Sequence, residues 1–404
     1  MLSVLLVVGV LVAVFVGFNI GGSSTGVAFG PAVGSGTVTK IVAAALMSGF
    51  FLLGGATFGT HVIDTMGGDI VPARMFTLAA SVTVLFFVGL ALLISNLFGV
   101  PASTSMTAVG AIAGLGVATE TIDWSVMGRI VTWWLFAPIV AFWTCAMIGR
   151  YLYPYLKVWF PLEGAAGAPF VIDRSGAVPV PRRRAEASLG DSVAGLLVVA
   201  IACYMAFSAG ASNAANAVAP LVGSGAVELY PGVLLAGFAV AVGAFTIARR
   251  TLDTVGNDLT DLPILAALIV EVVSATIITG LSWAGIPASL AVSATMCIVG
   301  LGWGRATRTT RLSDAASAAV RGEPGPDVSM SALAADESDP DEAVNGGRAE
   351  PHHVAGIGEE DPNALSAEDL FDPAATGRVV MLWILTPSIS AVASFLVFQF
   401  LPVF

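Results

Sequence analysis

Charge is what this 404-residue chain has least of. Only 11% of its residues are Asp, Glu, Lys or Arg, 56% are hydrophobic, and mean hydropathy is +0.88. A soluble domain is about a quarter charged, so the composition excludes a soluble fold and describes an integral membrane protein whose first partner is the lipid bilayer. At a formal net charge of −11, nucleic acid is not an expected partner. Cysteine and histidine are equally scarce, at three each. Cys145, Cys203 and Cys297 fall inside apolar runs without metal-ligand spacing and read as buried, inert thiols. His352 and His353 stand in a polar loop and His61 at the end of an apolar run. No zinc site, catalytic triad or nucleophile–base pair can be built from this inventory. An enzyme is not expected, and neither a cofactor nor a resident metal is implied.

What is abundant is apolar sequence in runs of spanning length, about 20 residues for a hydrocarbon core near 30 Å. Spans are expected near 2–20, 41–59, 75–97, 102–119, 128–150, 192–209, 232–249, 263–283, 286–303 and 379–400. The first lacks a basic flank and exceeds signal-peptide length, so it reads as a retained helix. Connections after odd-numbered spans hold 15 of the 17 Lys and Arg residues, and those after even-numbered spans hold only Arg74 and Arg129. Positive residues favour the cytoplasmic side, so both termini are expected outside the cell membrane.

Residues 312–375 are different material. They hold 15 Asp and Glu, as in "ADESDPDEA", against Arg321 and Arg348. So many acids and so few large apolar residues cannot bury enough surface to order a chain, and the segment reads as a disordered cytoplasmic loop. A solvated linker suited to high salt is the plainer role, and partner binding the alternative.

The chain repeats itself. A shift of 189 residues lays Gly34-Ser35-Gly36 on Gly223-Ser224-Gly225, Pro31 on Pro220, and "DTMGGD" (64–69) on "DTVGND" (253–258). A shift of 186 lays "VPASTSMT" (100–107) on "IPASLAVS" (286–293). The expected organisation is a first transmembrane repeat over 1–160, a cytoplasmic linker over 161–190 and a second repeat over 191–404 that contains the acidic loop. Five spans per repeat, an odd number, force opposite orientations. The fold class is therefore an all-α polytopic membrane protein of two inverted repeats, with broken or re-entrant half-helices near the midplane and substrate where the halves meet.

Two matched segments, "GGSSTGVAFGPAVGSG" (21–36) and "GASNAANAVAPLVGSG" (210–225), are the expected breaks. Irregular backbone at bilayer depth survives only where protein or a water-filled cavity satisfies it. Free N–H groups at half-helix N-termini then attract anions. With no Lys or Arg in the centre of any span, the cavity is expected to hold a compact oxyanion through amides, Ser and Asn. The competing reading gives the glycines to close helix packing.

"FNIGGSSTGVAFGPAVGSG" and "GASNAANAVAPLVGSG" resemble the repeated motif of the inorganic phosphate transporter (PiT) family, N-I-G-A-N-D-V-A-N-A-x-G-x-x-V-G-S-G, and "PASTS" resembles its P-V-S-T-T segment. The resemblance covers about 10–160 and 190–400, and the acidic balance fits a haloarchaeal member. It implies an inverted-repeat secondary carrier, often a homodimer, that couples uptake of inorganic phosphate to Na+ or H+. Sulfate or another oxyanion is the alternative substrate, and an anion channel the alternative mechanism.

Carried over by position, the resemblance implies an anion site of Asn19, Ser23, Ser24, Ser103, Thr104, Ser105, Ser212, Asn213, Asn216 and Ser289. Ser24 and Asn213 stand where the family has aspartate, which weakens the case for sodium coupling and for phosphate selectivity. Glu271, in "AALIVEVVSATI", is a costly intramembrane charge and a candidate proton carrier, with a structural glutamate as the equal alternative. Asp64 and Asp253 recur in both halves as coupling-ion candidates, although such acids also cap helices.

Overall fold

The computed structural model describes residues 2–97, 103–160, 170–173, 180–183, 189–247, 262–309 and 373–401. The first half of the chain comprises α1 (Leu2–Gly34), α2 (Lys40–Ala56), α3 (Gly59–Asp64), α4 (Leu78–Leu97), α5 (Thr104–Ala118), α6 (Trp124–Met147) and α7 (Tyr153–Trp159). The second comprises α8 (Leu189–Gly223), α9 (Leu229–Thr246), α10 (Ile264–Trp283), α11 (Leu290–Ala306) and α12 (Pro373–Phe400). Between them lies an antiparallel ribbon, β1 (Phe170–Asp173) on β2 (Val180–Arg183), with Phe170 opposite Arg183. Among the described residues the fold is helical apart from this ribbon, which falls in the stretch expected as linker. Most of the acidic 312–375 segment lies outside the described residues, but its last three belong to α12.

Among the described residues, seven helices are long and apolar enough to cross a membrane. Helix α2 and the segment Gly59–Asp69, in which α3 runs into a π-helical turn at Thr65–Asp69, meet at a 63° bend at the break after Ala56, and counted as one broken span they make an eighth. The segments expected as spans near 102–119 and 286–303 fold as shorter helices of 15 and 17 residues. At about 1.5 Å per residue, α5 is near 22 Å long and stops short of a 30 Å core.

The expected breaks at 21–36 and 210–225 do not occur there. Helices α1 and α8 run through the glycine-rich motifs for 33 and 35 residues, ending only at Gly34 and Gly223. A continuous helix satisfies its own amides, which in an apolar surround outweighs the modest helix penalty of each glycine. Both helices close the same way. Ser35 N–H bonds Pro31 O and Ser224 N–H bonds Pro220 O, and Gly36 and Gly225 then turn the chain at φ 71° and 70°. Only glycine takes that left-handed conformation at little cost.

The motif glycines serve packing instead. A Cβ on Gly21 would strike the carbonyl of Val240, and one on Gly210 the carbonyl of Phe51. Likewise Gly54 abuts the carbonyl of Phe207, and Gly243 that of Phe18. Every member of one pair maps onto the other at the 189-residue shift. Thus α2 lies along α8 as α9 lies along α1, while α5 packs on α12 as α11 packs on α6. Buried hydroxyls tie the halves together, with Ser81 donating to Pro220 O at 2.7 Å and Ser394 to Ala111 O at 2.6 Å. At one end of the bundle, Arg308 donates to the carbonyl of Arg150 (2.9 Å) and Arg150 to that of Thr307, which fastens the end of α11 to α6.

Candidate functional site

Four helices meet at a small cavity of about 40 Å³. From the first repeat come Ser23, Ser24 and Val27 of α1 and Thr104 of α5. From the second come Asn213 of α8 and Ser289, Leu290 and Ala291 at the start of α11. One water needs about 10–15 Å³ on this measure, so the space suits a few waters or one compact ion. Among the described residues no charged side chain lines it.

Its polarity comes from helix N-termini. Ser289 caps α11 by accepting from Val292 N–H at 3.3 Å, which leaves the Leu290 and Ala291 amides without an intrahelical acceptor. Those two residues border the cavity, so the partial positive end of α11 faces it. Ser103 occupies the equivalent cap of α5 but its hydroxyl caps nothing, and its oxygen is buried without a partner. The chain enters α11 through Pro287-Ala288-Ser289.

Behind the cavity wall runs a hydrogen-bonded chain that crosses the repeats. Thr104 Oγ1 donates to Asn213 Oδ1 at 2.6 Å. Asn216 Nδ2 reaches Asn213 Oδ1 at 3.0 Å and Ser105 Oγ at 3.2 Å. The Ser212 hydroxyl and Asn216 Oδ1 are buried with no partner beside it. Ser23 donates back to the Asn19 and Ile20 carbonyls at 3.2 Å, the usual fate of a helical serine. Asn19 sits one turn away from the lining, donating to Phe15 O (2.8 Å) and accepting from Asn96 (3.0 Å).

The structure therefore brings Ser23, Ser24, Thr104, Asn213 and Ser289 to one surface. Ser105 and Asn216 stand directly behind it, bonded to its wall. It does not bring the acids there. Glu271 lies mid-way along α10, 4% exposed, with neither carboxyl oxygen hydrogen-bonded, and is not part of the lining. Asp64 is exposed at the end of α3, and Asp253 lies outside the described residues. Among the described residues no cluster of three His, Cys, Asp or Glu could hold a metal. Sequence reasoning missed the Leu290 and Ala291 amides, although the Pro-Ala-Ser cap just before them signalled a free helix start. It also missed Asn96, which no motif marks.

The model of the Phosphate transporter family matches residues 20–394, nearly the whole chain. The chain belongs to the phosphate transporter family. It is accordingly a multi-pass membrane transporter and not an enzyme. This family member is similar to the sulfate permease CysP of Bacillus subtilis, 29% identical with 72% of this chain and 76% of that one covered. It is also similar to a putative phosphate permease of Chlamydia muridarum, 25% identical over 76% of this chain and 92% of the relative. In fold it matches the solved structure titled "The sodium-dependent phosphate transporter", with a TM-score of 0.66, 18% identity and 98% of both chains covered.

Proposed function

We propose that this member of the phosphate transporter family is a secondary carrier that moves inorganic phosphate across the cytoplasmic membrane by symport with a cation. The observation that carries this reading is the uncharged cavity shared by both repeats, with the N-terminus of α11 and the hydroxyls of Ser24 and Ser289 on its walls. Amide and hydroxyl donors bind an oxyanion without a fixed cation, so release is not opposed by a buried ion pair. Matched packing across the seam suits two related halves that rock about the cavity.

Coupling to protons fits the residues better than coupling to sodium. The cavity offers no carboxylate as a hard, anionic oxygen ligand. Glu271 is the buried acid within a span and is the candidate proton carrier; Asp64, being exposed, is the weaker one. The test is uptake of radiolabelled phosphate by reconstituted vesicles under an imposed proton or sodium gradient. The proton gradient should drive uptake, and replacing Na+ with choline should change the rate little. Strictly Na+-dependent uptake would overturn this assignment of the coupling ion.

A further inference from the structure

The chemistry of the cavity turns on which way one amide points. Asn213 is 4% exposed and lines the cavity, and one atom of its amide touches both Thr104 and Asn216. The contact to Thr104 is 2.6 Å. That separation belongs to an O–H···O bond, since N–H···O bonds run from about 2.7 to 3.2 Å. The atom facing Thr104 is therefore the Asn213 oxygen, and it accepts twice, from the threonine hydroxyl and from Asn216 Nδ2. The other end of the amide, the –NH2, is left for the cavity, and no side chain accepts from it. Asn213 is locked as a donor.

The remaining lining can be sorted in the same way. Ser289 Oγ accepts from Val292 N–H, which leaves its proton to donate into the cavity. The Leu290 and Ala291 amides are donors without alternatives. Thr104 and Ser23 have given their protons to Asn213 and to backbone carbonyls, so their oxygens are the acceptors that the wall retains. A P–OH group can use such a neutral oxygen. A carboxylate, which would bind a P–OH strongly and repel an anion that has no proton, is absent from the lining.

We propose that Asn213, held in this orientation by Thr104 and Asn216, is the specificity-determining residue of the cavity, and that its –NH2 group admits sulfate on at least equal terms with hydrogen phosphate. The proposal rests on the cavity being the oxyanion site of a carrier. Discrimination against an analogue that lacks a proton requires a strong acceptor reserved for that proton, and none is built here. Sulfate, a tetrahedral dianion of the same size, engages the donors and leaves no strong acceptor unpaired.

The experiment is equilibrium binding of radiolabelled phosphate to the purified full chain in detergent at neutral pH, displaced by unlabelled sulfate or unlabelled phosphate. Sulfate should displace the label at a concentration no higher than phosphate requires. In Asn213→Asp the order should reverse, with sulfate weakened by roughly tenfold or more relative to phosphate. Thr104→Val keeps the shape of the wall but removes the lock, so the Asn213 oxygen can face the cavity, and the ratio should shift toward phosphate; an unchanged ratio would count against the lock. Should Asn213→Asp fail to fold, the wild-type ratio and Thr104→Val decide alone. Phosphate binding that excess sulfate cannot displace would overturn this inference and leave the carrier reading standing. Failure to bind either anion would instead overturn the reading on which it rests.

Discussion

Single glycines in this protein do one of two things, and substitution separates them. Gly54 and Gly210 each face a backbone carbonyl of the neighbouring helix, whereas Gly49 has nothing within 4 Å of where a Cβ would stand. Gly210→Leu forces two helices apart and should cost at least about 1–3 kcal/mol, enough to lower the thermal midpoint in detergent or abolish the fold. Gly49→Ala, on an open helix face, should be neutral or stabilising by up to about 1 kcal/mol. Equal behaviour of the two variants would contradict the packing account. The polar positions respond in affinity instead. Ser24 borders the cavity and stands where related motifs carry aspartate, so Ser24→Asp supplies a strong acceptor for a P–OH group. Uptake by this variant should resist sulfate better than uptake by the unmodified protein, as read by competition. Unchanged inhibition by sulfate would show that residue 24 does not face the anion.

Helix elements carry the site through their ends. Residues 104–118 and 290–306 are too short to cross, and their N-termini bring Thr104 and Ser289 to the cavity. Replacing Ser103 and Thr104 together with alanine should weaken phosphate uptake while leaving the protein folded, because Ser103 makes no capping bond and Thr104 bonds only across to Asn213. An unchanged uptake affinity would remove α5 from the site. The half-helix at 104 was legible from Pro101 and the hydroxyls after it, as were most of the residues that the cavity unites. The course of α1 and α8 was not. Glycine, serine and proline in a row signal a break when only local propensity is weighed. What keeps 21–34 and 210–223 helical is the helix's own satisfaction of its amides in an apolar surround and the neighbouring backbone pressed against Gly21, Gly210 and Gly223, and neither is visible in one segment read alone. The ribbon at 170–183 was also missed, in a stretch without any strong apolar alternation.

At the scale of the whole molecule, the chain works as two matched halves whose closest contacts are with each other. The 189-residue register that aligns the motifs also aligns the crossings of α2 on α8 and of α9 on α1, so sequence symmetry and packing symmetry coincide. The acidic 312–375 segment belongs to neither matched set. Excising residues 320–370 should preserve the uptake affinity, and loss of binding in a folded deletion variant would reveal a functional domain there. The central claim is that the two halves together act as a carrier for an oxyanion and do not form an open pore. Counterflow tests it most directly, with vesicles containing the reconstituted protein, loaded with unlabelled phosphate and diluted into a trace of labelled phosphate. A carrier exchanges outgoing for incoming substrate, so the label should accumulate transiently above its external concentration and then decline, and external sulfate in excess should suppress the rise. A monotonic approach to equilibrium with no overshoot would contradict the account, because it is what a channel gives.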